Sequence, residues 1–341
     1  STYYAQNRYD QTNATSSIFD LVLNTPGQIP LIDLSDWKTN KFANPNGYYN
    51  AYYNNPYFLA DNNRGYTRND YFIGSLALTY RPTKAIDFTY RMGFNTRNAT
   101  VENTTDKFAF TDYTKALPDQ KGTYKVTDQL GSYGTSSSYN TNIVTDFIAH
   151  GQKKVNDFKF DLTATANLTQ STGASQASSV SGLVAPGLFN LSNTLSNPST
   201  SNSNSEQRSV SLWSKVDVAY KNYLFATITG RNDWFSTLDP ENRSFFYPSA
   251  QVSFVPTDAF ESLKNIKHLD YFKLRGGWSQ VGKVNIAPYS LLPIFGQSSG
   301  YPYSGQGGYT IGSQLVAPGL KPELTAGYEA GFDVSAYRSR V

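Results

Sequence analysis

The chain reads as all-β, an antiparallel transmembrane β-barrel segment, on three observations: apolar residues recur at alternate positions, connections between such runs are short and long in turn, and aromatic residues crowd the short ones. The composition admits that class and removes others. Of 341 residues 16% are charged and 15% aromatic, with 26 Tyr and 21 Phe; a soluble domain carries roughly 25% charge, and both aromatics favour strands. A disordered chain lacks such aromatics. No run approaches the ~18 apolar residues of a membrane helix, and there is no cysteine for a disulfide scaffold or a Cys-ligated metal. The mean hydropathy of -0.48 suits a barrel, whose strands average lipid-facing with lumen-facing residues. The net charge of +3 is scattered and leaves no nucleic-acid footprint. Residues 1–10 hold no apolar core of a signal peptide.

The first hairpin is the clearest. Phe72, Leu76, Leu78 and Tyr80 alternate with small or polar residues, Arg81-Pro82-Thr83-Lys84 makes a tight connection, and Ile86, Phe88, Tyr90, Met92 and Phe94 return against Asp87, Thr89, Arg91 and Asn95. In the second, Ile143, Phe147 and Ala149 precede a turn expected at Gly151-Gln152-Lys153-Lys154, and Phe158, Phe160, Leu162, Ala164, Ala166 and Leu168 follow. A third places Val210, Leu212, Val216, Val218 and Tyr220 before Lys221-Asn222, with Leu224, Ala226, Ile228 and Gly230 returning. A fourth joins Phe246, Ala250, Val252 and Phe254 to Phe272, Leu274, Gly276 and Trp278 through residues 257–270, and a last strand holds Tyr328, Ala330, Phe332 and Val334.

These runs make about nine strands, an odd number where closed bacterial barrels have an even one, so the chain reads as part of a larger barrel. The connections at 96–140, 169–206 and 281–324 are long and rich in Gly, Ser, Thr, Asn and Tyr. Barrels of this kind place longer loops outside the cell, short turns in the periplasm and aromatic girdles at both interfaces; Tyr80, Phe158, Tyr220, Tyr223 and Phe272 flank the short turns. The alternative is a secreted, aromatic-rich β-sandwich that binds glycans, since half-buried sandwich strands also alternate. Its strands average only about 5 to 6 residues, shorter than these runs.

Catalytic chemistry has little support. The two histidines, His150 and His268, lie beside expected short turns with no candidate nucleophile near, and read as structural. A glycosidase needs paired carboxylates; Asp106 with Asp112, or Glu323 with Glu329, are candidates that read more simply as solvated charge. The Asp61-Asn62-Asn63-Arg64-Gly65 stretch has a calcium-loop beginning but Phe72 at the twelfth position. Residues 171–205, rich in Ser, Thr and Asn, read as a loop. Aromatic clusters are the better lead: Tyr48, Tyr49, Tyr52, Tyr53 and Tyr57; Trp234 and Phe245; Tyr301, Tyr303 and Tyr309. Tyr and Trp offer an apolar face with a polar handle, suited to sugar rings or peptide side chains and equally to packing loops together.

Four stretches carry a family resemblance: Asn242-Arg243-Ser244-Phe245-Phe246-Tyr247-Pro248-Ser249; Tyr48-Tyr49-Asn50 through Asn55-Pro56-Tyr57; Phe272-Lys273-Leu274-Arg275-Gly276-Gly277-Trp278 through Val281-Gly282; and Leu320-Lys321-Pro322-Glu323 with Tyr328-Glu329-Ala330-Gly331-Phe332-Asp333. In order and spacing they resemble the second half of the barrel in SusC/RagA-type TonB-dependent outer-membrane transporters. The resemblance implies a large plugged barrel of roughly 22 strands, of which residues 1–341 are one part. It also implies an N-terminal plug and TonB-binding segment absent from this chain, with Arg338-Ser339-Arg340-Val341 near the family's last strands. The activity implied is import of oligosaccharides or oligopeptides across a gram-negative outer membrane, with a SusD-like surface lipoprotein and the TonB complex as partners, outer-membrane lipid around the barrel and no cofactor. Where many relatives carry Asp-Gly-Ser-Ser, this chain has Asn232-Asp233-Trp234-Phe235-Ser236, and no loop role carries over there.

Overall fold

The structure, a computed structural model, describes residues 1–12, 15–117, 123–298, 300–312 and 319–337. Ten strands form one antiparallel sheet in which each pairs with its neighbours along the chain: β1 (Thr2–Thr12), β2 (Asn63–Tyr80), β3 (Ile86–Thr105), β4 (Ser132–Val155), β5 (Phe158–Ser181), β6 (Ser199–Tyr220), β7 (Leu224–Phe235), β8 (Ser244–Phe254) and β9 (Leu269–Lys283), with β12 (Glu323–Ala336) as the last. A separate hairpin, β10 (Phe295–Gln297) with β11 (Tyr309–Ile311), lies in the connection before β12. β1 and β12 are the two edges, and among the described residues no ladder joins them. The sheet is an open wall.

Its two faces differ because directly opposed residues of an antiparallel pair share a side. Leu78, Tyr90, Phe147, Ala166 and Leu212 stand in one row across five strands, and Leu76, Phe88, Leu162, Leu168, Ile228, Val252 and Phe332 share that side, all exposed. The opposite side carries ion pairs instead, among them Arg91 with Asp146 and Lys215 with Asp217. A sandwich would bury its apolar side against a second sheet; here that side is bare, and the soluble sandwich reading is set aside.

The apolar face has a defined height. On β5 it runs from Phe158 to Leu168, after which Gln170, Thr172 and Ala174 take the same positions; eleven residues at about 3.4 Å each, tilted about 45°, stand ~26 Å tall, the height of a barrel's lipid-facing band. Above it the same side becomes polar at a common level: Asp70 accepts from Tyr4 and Gln6 and pairs with Arg68, Arg64 pairs with Asp10, and Glu206 takes Gln170 and Arg208. At the turn end, neighbouring rings run from Phe160 through Phe158, Tyr220, Tyr223 and Phe254 to Phe260 at centroid separations of 4.7 to 6.1 Å. This is the aromatic girdle expected beside the short turns.

Several expectations are corrected. Among the described residues the main sheet has ten strands, since β1 pairs with β2 along its whole length; its alternation is hidden because Tyr4, Gln6 and Asp10 make its outer side polar. The second turn is Asn156-Asp157, with Asn156 at φ 52°, a left-handed conformation Asn adopts readily. Gly151 to Lys154 remain in β4, opposite Leu162 to Lys159. Residues 171–181 and 199–205 are not loop but the upper parts of β5 and β6, paired with one another and, for β5, with β4 as well: both sides are wet there, so no alternation marks them. The long connections shrink to 106–131, 182–198 and 284–322, and a fourth, 13–62, precedes β2. The connection from β8 to β9 holds two short helices, α4 (Pro256–Ala259) and α5 (Glu261–Lys264), and Thr257 Oγ1 accepts from the Phe272 N–H at 3.2 Å. The closing Arg338-to-Val341 stretch lies outside the described residues.

Candidate functional site

At the loop end, connections 13–62, 106–131 and 182–198 fold against one another into a cap with its own core. The first holds α1 (Thr15–Leu23), a 3-10 turn at Leu31–Leu34 and α2 (Pro56–Asn62). Asn55 starts α2 by accepting from the Tyr57 N–H, with Pro56 in the first turn, where its missing N–H costs nothing. The Asn55 amide also donates at 2.8 Å to the carbonyls of Leu34 and Ala43, so one buried side chain ties three segments. Phe58 is 0% exposed. Its ring lies 4.9 Å from Trp37 and 5.1 Å from Phe108, and the series continues through Phe110 to Tyr124. The second connection holds α3 (Asp112–Ala116), capped by Thr111, and a 3-10 turn at Tyr124–Val126. Lys125, 1% exposed, donates to the Tyr48 carbonyl at 2.8 Å.

The third connection joins through backbone. Leu183 N–H donates to Leu130 O, Gly187 N–H to Asp106 Oδ1 at 2.7 Å, and Gly131 at φ 74° lies where a Cβ would meet the Lys107 nitrogen at 2.9 Å. Lys115 pairs with Asp128 at 2.7 Å, and with the Phe110 N–H it holds the Asp128 carboxyl below the usual carboxylate range. Burial pushes the Tyr48 and Tyr124 phenols above theirs.

The sequence-derived aromatics separate into distinct environments. Tyr48, 4% exposed, is cap core, its ring 4.7 Å from Tyr49. Tyr49, Tyr52 and Tyr53 are exposed, the last two on a turn closed by Asn50 Oδ1 accepting from both their N–H groups; Tyr57 is half-buried on α2. Trp234 stands on the apolar side opposite Val210, at the top of the band, and Phe245 on the polar side opposite Asp233. Tyr301, Tyr303 and Tyr309 are exposed in the connection that carries β10 and β11. The 48–53 group comes together in one cap segment; the others lie on separate elements.

Sequence reading missed the polar side of the wall just above the band. Two rows cross it: Asn95, Asn142, Ser171 and Gln207, and beside them Tyr71, Arg97, Asn140, Gly173 and Ser205. Together with Pro288 they line a groove of about 560 Å³. Gly173 keeps it open, since a Cβ there would meet Ser205 Oγ at 2.9 Å and Asn140 Oδ1 at 3.1 Å. The signal was present in the alternates of runs read as loop, where the apolar partner positions had already turned polar.

Lower on the same side, His150 bridges Asp87 at 2.9 Å and Asp161 at 3.1 Å, the structural role expected of it. Of the carboxylate pairs, Glu323 and Glu329 are six residues apart on β12, about 20 Å along a strand and beyond glycosidase reach. Asp106 receives backbone N–H groups. The calcium-like stretch is divided between α2 and β2: Asp61 accepts from the Trp37 indole and Arg64 pairs with Asp10.

The sequence profile described as TonB dependent receptor-like, beta-barrel, matches residues 4–340. Among solved structures, the RagAB peptide importer in its closed-closed state and the RagAB peptide transporter each superpose with a TM-score of 0.72 at 16% identity, over 84% of this chain and 30% of that one. The open-open state of the importer gives 0.65 over the same shares. At this identity the likeness is one of fold, and the chain spans 30% of the length of those proteins. No curated protein sequence matches.

Proposed function

The chain belongs to the TonB-dependent receptor-like β-barrel family, and from that premise we propose that it forms part of the wall of an outer-membrane transporter importing oligosaccharides or oligopeptides into a gram-negative bacterium. The observation that carries this reading is the two-sided wall: a ~26 Å apolar band with a polar reverse side and a folded cap at one end only. The apolar side meets lipid, the polar side lines the lumen, the cap faces outward and the short turns face the periplasm. Residues 1–341 then contribute one stretch of a single barrel domain, whose plug and TonB-binding segment lie elsewhere in the transporter. A SusD-like lipoprotein closes over the cap, energy comes through TonB, and the substrate crosses unchanged. The solved structures that superpose at a TM-score of 0.72 are described as a peptide importer and a peptide transporter, and that description supports oligopeptides as one candidate cargo.

Orientation is tested with single cysteines in the complete transporter on intact cells. Ser196→Cys and Ser304→Cys, in two of the long connections, are expected to react with a membrane-impermeant maleimide, and Lys84→Cys, in the first short turn, only after the outer membrane is opened. The reverse pattern would invert the wall. Capture is tested at the exposed part of the cap cluster: Tyr49, Tyr52 and Tyr53 replaced together by Ala should raise the half-saturating concentration for uptake about tenfold, as losing ~1.5 kcal/mol of aromatic contact would. Unchanged uptake with a folded cap would assign these rings to packing.

A further inference from the structure

Among the described residues four arginines stand on the lumen side of the wall. Three face carboxylates: Arg91 reaches Asp146 through Nε at 2.9 Å and Nη2 at 2.7 Å, Arg231 reaches Asp233 at 2.7 Å, and Arg275 reaches Asp333 at 3.4 Å. Arg97 is held in the same manner, through Nε at 3.1 Å and Nη2 at 2.8 Å, but its acceptor is Oδ1 of Asn69, a neutral amide on a side chain 3% exposed. Its guanidinium carbon also lies 5.7 Å from the centre of the Tyr71 ring. The cation is therefore fixed in place without being neutralised. It is the one charged residue lining the groove, whose other polar side chains include the amides of Asn95, Asn140, Asn142 and Gln207.

A fixed guanidinium with unused N–H donors matches a carboxylate, and charge-assisted bonds of this kind are the strong ones. The surrounding amides each carry donors and an acceptor, the pairing a peptide unit presents. A sugar ring wants an open aromatic face, and the groove's one aromatic, Tyr71, already has Arg97 over it. We propose that this groove is a binding site for acidic oligopeptides, with Arg97 taking the carboxylate and the amide rows taking the adjoining backbone. The proposal rests on the import reading above and narrows its substrate.

The test uses the complete transporter with its lipoprotein, purified in detergent and offered a defined oligopeptide library. Every acidic peptide in it is matched by a Gln or Asn counterpart and by a C-terminally amidated one; oligogalacturonate and its methyl ester are offered separately, and retained ligands are read by mass spectrometry. Wild type should retain carboxylate-bearing peptides about tenfold or more over their neutral counterparts. Asn69→Asp, which gives Arg97 the partner the other three arginines already have, should abolish that preference while neutral peptides are retained as before; Arg97→Gln should do the same, with melting temperatures confirming both folds. Loss on Gln or Asn replacement identifies the side-chain carboxylate and supports the site; loss on amidation alone, with acidic peptides and their Gln or Asn counterparts retained equally, means that any free C-terminus is read and overturns the acidic assignment. Equal retention of acidic and neutral peptides by wild type, or a preference surviving both variants, would overturn it, and so would retention of the galacturonate but no peptide, an outcome that leaves import standing. Retention of nothing would defeat the import reading and this site with it.

Discussion

Arginine in place of Tyr90 is expected to lower the amount of folded, membrane-inserted transporter sharply. Tyr90 lies midway between Ile86 and Phe94 on the apolar side of β3, its ring 5.0 Å from Phe147 and its row continued by Leu78 and Ala166. A guanidinium at the bilayer midplane of a barrel costs about 2 to 4 kcal/mol, falling to ~0 to 1 near the interfaces. Thr89→Arg, one residue away, exchanges a hydroxyl paired with Thr79 for a charge in a polar lumen and should be tolerated. Heat-modifiable mobility of the complete barrel in native membranes reads both variants. A photocrosslinker at Phe88 should capture acyl chains and one at Thr89 water or lumen residues; equal water exposure at the two positions would remove the lipid-facing assignment of this strand.

Phe58→Ala should disorganise the cap and spare the wall. The ring is fully enclosed and joins Trp37 to Phe108, which come from different connections. Truncating an enclosed Phe costs about 3 to 5 kcal/mol, a large share of what holds so small a unit. The expected readout is new protease cleavage on intact cells within residues 13–62 and 106–131, together with loss of uptake, while barrel mobility in gels stays unchanged. Resistance equal to wild type would mean that the cap is held chiefly by its backbone and by Asn55.

How much of this was legible in the sequence follows from where water is. Between Phe158 and Leu168 one side meets an apolar phase and the other a polar one, so the period-two pattern is complete and the strand was read correctly. From Gln170 to Ser181 the same ladder continues with water on both sides; nothing distinguishes the faces, and composition alone suggested a loop. β1 was hidden for the same reason. The Asn156-Asp157 turn was missed because Gly151 and two lysines resemble a turn more than Val155 and Phe158 do, although it is those two apolar residues that close the register. For the site, the tyrosines between 48 and 57 were visible as a cluster, but which of them are enclosed depends on Lys125 and Tyr124, partners from another connection. The Asn69–Arg97 contact spans two strands, and the sequence offers no sign that this arginine differs from its three counterparts.

The polar continuation of β5 sets a length scale for cargo. Ser171 belongs to the groove and Ser181 to the foot of the cap, ten residues apart, or roughly 33 Å along the strand and about 24 Å in height at a 45° tilt. An extended peptide covers at most ~3.3 to 3.6 Å per residue, so one held by cap and groove together needs about seven residues if it runs straight down the lumen and ten if it follows the strand. Shorter peptides meet the two places in succession. The sizes of the peptides retained from the library would therefore divide at this point: short ones sensitive to Arg97 alone, longer ones sensitive to both ends of the wall.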